Sequence, residues 1–145
     1  MISRNEMEVR FLSVPENEAF ARIVIAAFTV RLSPTIAELT DVKTAVSEAV
    51  TNAIVHAYEG TLGTVTLRAA TEGSTLSIEV IDHGKGIPNV KQAMEPFFTT
   101  HPEQERSGMG FAVMQTFMDE VKVYSTPGSG TSVHMRKRIH PESMH

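Results

Sequence analysis

Glu48, Asn52 and His56 stand four residues apart in a stretch, Ala45 to Ala57, that is otherwise almost wholly small or apolar. Residues at that spacing stack on one face of a helix, which sets a carboxylate and a carboxamide one turn from each other. Farther along, Asp82-His83-Gly84-Lys85-Gly86-Ile87-Pro88 closes a run of alternating residues. An acid with flexible glycines at a strand end lets the backbone approach a flat ligand. A carboxylate base, an amide oxygen for a metal and a glycine-lined nucleotide pocket are what phosphoryl transfer asks of a protein.

Each signal has a plainer meaning. A Glu and an Asn four apart are usually solvated, and Asp41, Thr44 and Ser47 could complete a wet stripe. The apolar surroundings favour a cleft instead. His56, one turn on, is expected to be a hydrogen-bonded structural residue. Asp82 can accept from an exocyclic amine such as that of adenine, and Gly84 and Gly86 leave room for ring and sugar. In Arg106-Ser107-Gly108-Met109-Gly110-Phe111 the glycines are expected to open a helix whose amides and dipole suit a phosphate chain. Gly130-Thr131 is the weakest signal, a good turn in its own right. No GxxxxGK[ST] loop, dinucleotide fingerprint, zinc spacing or EF-hand spacing occurs.

The elements that must position these residues follow from periodicity. Met7, Val9 and Phe11 alternate with polar neighbours as an edge strand. Glu16 to Leu32 is helical, with Phe20, Ile23, Val24, Ala27 and Phe28 on one side, and Ser33-Pro34 ends it. Thr35 and Glu38 form a capping box for a second helix from about Ile36 to Ala57. Strands over Val65–Ala69 and Leu76–Ile81 flank the turn Glu72-Gly73-Ser74. Pro88 to Ser107 holds at most a short helix near Val90–Met94, and so long a loop suggests a lid. A helix from Gly110 to Met118 and a hairpin around Pro127–Gly130 complete the chain. The predicted class is α+β, a two-layer sandwich with helices on one face of a mainly antiparallel sheet, in one domain over 1–145 with a lid at about 88–110.

Composition narrows the partners. The hydrophobic fraction is 41% and the charged fraction 21%, ordinary globular usage. Seventeen acidic against thirteen basic residues, net −4, supply no field for nucleic acid. The absence of cysteine excludes disulfides and thiolate zinc sites and suits a reducing compartment. No apolar segment is long enough for a bilayer span, so a cytoplasmic protein without membrane contact is expected. Arg136-Lys137-Arg138 is expected to be a solvated strand end.

Taken in order, Glu48-Ala-Val-Thr-Asn52, Asp82-x-Gly84-x-Gly86, Gly108-x-Gly110 and Gly130-Thr131 resemble the N, G1, G2 and G3 boxes of the gyrase, histidine kinase and MutL ATP-binding superfamily, which has the Bergerat fold. Phe97-Phe98-Thr99-Thr100, Glu105 to Phe111 and Phe117-Met118-Asp119-Glu120-Val121 resemble the anti-sigma F factor family, serine kinases of spore-forming bacteria. The resemblance implies a homodimer that restrains sigma factor F and uses Mg2+ and ATP to phosphorylate a serine of an anti-anti-sigma protein. It makes Glu48 the base, Asn52 the Mg2+ ligand and Asp82 the adenine contact, with Gly84, Gly86 and Thr131 around the base. Thr99, Thr100, Ser107, Gly108, Met109 and Gly110 fall at the lid and phosphate end, Arg106 on developing γ-phosphate charge, and Arg22 on the protein partners. His83 and Lys85 fill variable positions. His101 replaces an expected lysine, which implies nucleotide affinity that is weaker, or varies with pH near roughly 6.5. A gyrase- or chaperone-type ATPase and a nucleotide-gated sequestering protein remain the alternatives.

Overall fold

Alternation of more and less buried residues shapes most of the strands. The structure is a computed structural model that describes residues 4–94 and 105–140, with only the backbone described over 105–109. The strands are β1 (Arg4–Leu12), β2 (Thr64–Glu72), β3 (Thr75–Asp82), β4 (Glu120–Thr126) and β5 (Gly130–Arg138). They form one five-stranded antiparallel sheet in the order β1-β2-β3-β5-β4, which leaves β1 at an edge, as its pattern suggested. In β3, Leu76, Ile78, Val80 and Asp82 all point inward. Asp82 is the last member of that row, so the period of two itself delivers its carboxylate to the covered face. On the open face Glu8, Arg68, Glu79 and His134 lie in register, a row of largely opposite charges that suits a wet surface.

The helices are α1 (Glu16–Thr29), α2 (Ile36–Asn52), α3 (Val90–Ala93) and α4 (Glu105–Phe117). Helices α1 and α4 flank α2, and all three cover the same face of the sheet. The α+β, two-layer expectation therefore holds. Helix α2 starts at the capping box seen in the sequence: Glu38 N donates to Thr35 Oγ1 and Thr35 N to Glu38 Oε1, each at 3.0 Å. Its Val42, Ala45, Val46, Ala49 and Val50 are buried at 3.6-residue spacing. Opposite them lie Leu67, Ile78, Met114 and Met135, fully buried, each stabilising the fold by roughly 1.5–3 kcal/mol.

Four local expectations change. In α1 the residues turned inward are Ala21, Ile25 and Phe28, whereas Phe20 is 45% and Ile23 68% exposed. Of the expected side Phe28 is buried and Val24 half-buried, and because apolar residues lie on most sides of this helix, packing could shift the buried face toward Ala21 and Ile25. The helical run beyond Asn52 is not α: Tyr58 N donates to Ala53 O at 3.3 Å, and Ala53–Ala57 form a π turn. Helix α4 begins at Glu105, so Gly108 and Gly110 lie inside its first turns and do not open it. A glycine disfavours a helix by only about 1 kcal/mol, which contacts with α2 can offset. Lys137 is no solvated end, since its side chain is 12% exposed and Nζ donates to Phe117 O at 2.7 Å, closing the C-terminus of α4.

Candidate functional site

Helix α2 carries one half of the site. Glu48 and Asn52 are half-buried on the flank that α4 covers, and Gly110 of α4 faces them. A Cβ on Gly110 would stand 3.1 Å from Asn52 Nδ2, 3.4 Å from Asn52 Oδ1 and 3.4 Å from Glu48 Oε2. The carboxylate, the carboxamide and the second glycine of the Gly108-x-Gly110 segment thus meet at one point. Asn52 Nδ2 is a buried donor that has no hydrogen-bond acceptor among the described residues. Native proteins rarely leave such a group unsatisfied, because its desolvation costs roughly 1–3 kcal/mol. Ser47, one residue earlier, faces the other way and donates to Glu18 Oε2 at 2.7 Å. It therefore belongs to the α1 contact and not to a wet stripe with Glu48.

The other half is built around Asp82. Its Oδ1 accepts from Gly84 N at 2.9 Å and from Thr131 N at 3.2 Å. Burial pushes the Asp82 carboxyl above its ordinary range, while those two amides and the neighbouring His83 oppose the rise. Thr131 is buried, and its Oγ1 lies 2.8 Å from Ser125 Oγ, which in turn accepts from Ile87 N at 2.7 Å. The structure gives the glycines a packing role of their own. A Cβ on Gly84 would fall 2.2 Å from Ala57 O, one on Gly86 2.3 Å from Thr126 O, and one on Gly130 2.1 Å from Asp82 O. Their bareness lets the chain pack on itself, and Gly86 also takes φ +78°.

The two halves share a wall. Lys85 N donates to Ala57 O at 3.0 Å, so the loop after Asp82 sits on the π turn that continues α2 past Asn52. At about 1.5 Å per residue, Ala57 lies within some 8 Å of Asn52 along the axis. π turns of this kind recur at functional sites. His56 is half-buried in the same turn.

The remaining expected residues fall as follows. Arg22 is exposed on α1 and pairs with Glu18 at 2.5 Å. Arg106, Ser107, Gly108 and Met109 lie on the first turns of α4, described as backbone only. Thr99, Thr100 and His101 lie outside the described residues. Sequence reasoning overlooked Ser125 and Tyr58. The Tyr58 hydroxyl accepts from His83 N at 2.6 Å and donates to Thr64 O at 2.8 Å. The aromatic at the end of the His56-Ala57-Tyr58 run was the available signal.

The donors suit a magnesium nucleotide. Mg2+ keeps most of its waters and takes one or two protein oxygens besides phosphate. Asn52 Oδ1 can supply one, and its Nδ2 lacks the acceptor that a phosphate oxygen would provide. Among the described residues no cluster of three or more His, Asp or Glu offers a fuller metal cage.

This architecture also appears in solved proteins. The RsbU and RsbW domains of a Mycobacterium tuberculosis protein superpose with a TM-score of 0.67 over 93% of this chain and 32% of theirs, at 16% identity. The catalytic domain of histidine kinase ThkA gives 0.57 over 94% of this chain and 99% of its own, at 15% identity. Residues 11–137 match the model of the histidine kinase-like ATPase domain, and that is the class to which the sheet, α2 and the Asp82 loop conform. Within the class the likeness narrows. Anti-sigma F factors of Caldanaerobacter subterraneus and Thermoanaerobacter pseudethanolicus are 61% and 59% identical over 93% of this chain and 94% of theirs. That of Bacillus licheniformis is 47% identical over 94% of both chains. The chain belongs to the anti-sigma F factor family.

Proposed function

We propose that this chain is a Mg2+- and ATP-dependent protein serine kinase, a single domain over 1–145 with a lid at about 88–110, that also holds sigma factor F inactive. The observation that carries this is the meeting of Glu48 Oε2 and the Asn52 amide beneath Gly110, joined through α2 to Asp82. Asp82 accepts from the 6-amino group of adenine, with the amides of Gly84 and Thr131 holding its carboxylate in place and Gly86 letting the loop pack on Thr126. Asn52 offers Oδ1 to Mg2+ and Nδ2 to a phosphate oxygen. Held at Asn52, the ion would supply neutralisation of phosphate charge. Glu48 orients the serine hydroxyl of the anti-anti-sigma protein and takes its proton. Arg106 neutralises charge at the γ-phosphate, and Thr99, Thr100, Ser107, Gly108 and Met109 enclose the phosphate end.

The exposed residues of α1 support a protein partner. Phe20 and Ile23 are 45% and 68% exposed beside Arg22, Val30 just after the helix is 55% exposed, and Phe20 meets Phe11 of the edge strand edge-to-face with centroids 6.2 Å apart. An apolar stripe with an arginine is common at protein interfaces. In this reading it serves the homodimer and its partners, in the cytoplasm.

Labelled ATP with the cognate anti-anti-sigma protein tests the proposal. Label on its serine, abolished by Glu48→Gln while ATP still binds, is the expected result. Free phosphate would instead mean an ATPase. No turnover with retained ATP binding would mean a nucleotide-gated binder.

A further inference from the structure

We propose that Tyr58 is a positioning residue that fixes the loop through which Asp82 recognises adenine. This rests on the ATP-binding role given to Asp82 above. Three successive amides follow that aspartate, and each is held by a different partner: His83 N by the Tyr58 hydroxyl at 2.6 Å, Gly84 N by Asp82 Oδ1 at 2.9 Å, and Lys85 N by Ala57 O at 3.0 Å. The second bond is internal to the loop. The first and third tie it to the end of α2, and of these only the Tyr58 bond comes from a side chain.

The hydroxyl is placed for this task. It accepts from His83 N and donates to Thr64 O at 2.8 Å, so both of its capacities span from the Asp82 loop to the start of β2. The ring is 8% exposed, and a Cβ on Gly63 would come within 2.1 Å of it, so glycine there leaves the space the ring fills. A buried ring with both hydroxyl bonds made has one orientation, and its hydroxyl transmits that to the backbone adjoining Asp82. Tyr58→Phe keeps the ring in its slot and removes only the bridge.

The experiment measures dissociation constants for Mg-ATP and Mg-GTP by calorimetry, on the full chain and on Tyr58→Phe, with amide exchange at His83 followed in both. Expected is a five- to tenfold loss of ATP affinity, about 1–1.4 kcal/mol, with GTP affinity unchanged and His83 exchange accelerated. Selectivity for adenine therefore falls by the same factor. Faster His83 exchange with unaltered ATP affinity would overturn the role of Tyr58 alone and leave the ATP reading standing. Equal losses for ATP and GTP would also overturn it, because a merely structural defect does not read the base. Failure of the unmodified chain to bind ATP at millimolar concentration would remove the ATP reading, and this inference with it.

Discussion

Replacing Gly110 with alanine separates a catalytic role for the α2–α4 contact from a structural one. The added Cβ would stand 3.1 Å from Asn52 Nδ2 and 3.4 Å from both Asn52 Oδ1 and Glu48 Oε2. Those distances are tight without being prohibitive, so α4 must move by a few tenths of an ångström or the two side chains must turn. Two stability terms oppose each other. Alanine favours a helix over glycine by roughly 0.8–1 kcal/mol, whereas overpacking costs typically about 1–3 kcal/mol. The net change is a loss of at most about 2 kcal/mol, a few degrees in Tm for a chain of this size. The ligand term is separate from these, because the methyl occupies the space toward which Nδ2 and the two oxygens converge. Loss of one charge-assisted phosphate contact and a disturbed metal oxygen weakens Mg-ATP binding by at least about tenfold. Gly73→Ala is the comparison: φ there is +59° with nothing within 4 Å, so it should cost about 1–2 kcal/mol of stability and no ATP affinity. Urea unfolding and calorimetric Mg-ATP titration of both variants decide the matter. Unchanged ATP affinity in Gly110→Ala would refute the placement of phosphate and metal at Glu48 and Asn52.

Further outcomes are open to measurement. Burial holds the Asp82 carboxyl above the ordinary carboxylate value of 3.8, so the folded chain keeps that proton more tightly than the unfolded one. Its stability contribution is present at low pH and is lost as pH rises from the ordinary value through the raised one. Asp82→Asn should therefore unfold at higher urea than the parent at pH 7, with the gap closing on acidification below about pH 4, while Mg-ATP affinity drops about tenfold or more. An equal gap at both pH values would contradict the burial argument. Lys137→Met should lower stability by about 1–2 kcal/mol by uncapping Phe117 O, measured as a lower urea midpoint, with ATP affinity nearly intact.

Much of the frame was legible because local chemistry and tertiary packing agree. The Thr35–Glu38 box fixed the start of α2, and alternation in β3 put Asp82 on the covered face. What escaped notice depends on contacts between distant segments. Gly84 and Gly130 are bare because Ala57 O and Asp82 O press on them, distances that no spacing rule contains. Lys137 looked solvated because a basic triplet at a strand end usually is, yet the pleat turns its middle member inward beneath α4. In α1, apolar residues on most sides made periodicity a weak guide: of the side it picked, Phe28 is buried, but packing chose Ala21 and Ile25 over Phe20 and Ile23. The π turn after Asn52 carries no mark in composition, since Ala53 to Ala57 are equally compatible with an α-helix. Tyr58 was hidden for the same reason as the glycines: its partners, His83 and Thr64, are brought to it only by the fold.

A crystal structure with Mg2+ and a non-hydrolysable ATP analogue bears most directly on the proposal that Glu48, Asn52 and Asp82 serve one nucleotide. The expected density puts the adenine amino group within hydrogen-bond distance of Asp82, Mg2+ on Asn52 Oδ1, and Glu48 facing the γ-phosphate. A nucleotide bound on another face of the sheet, or one whose γ-phosphate lies away from Glu48, would contradict it.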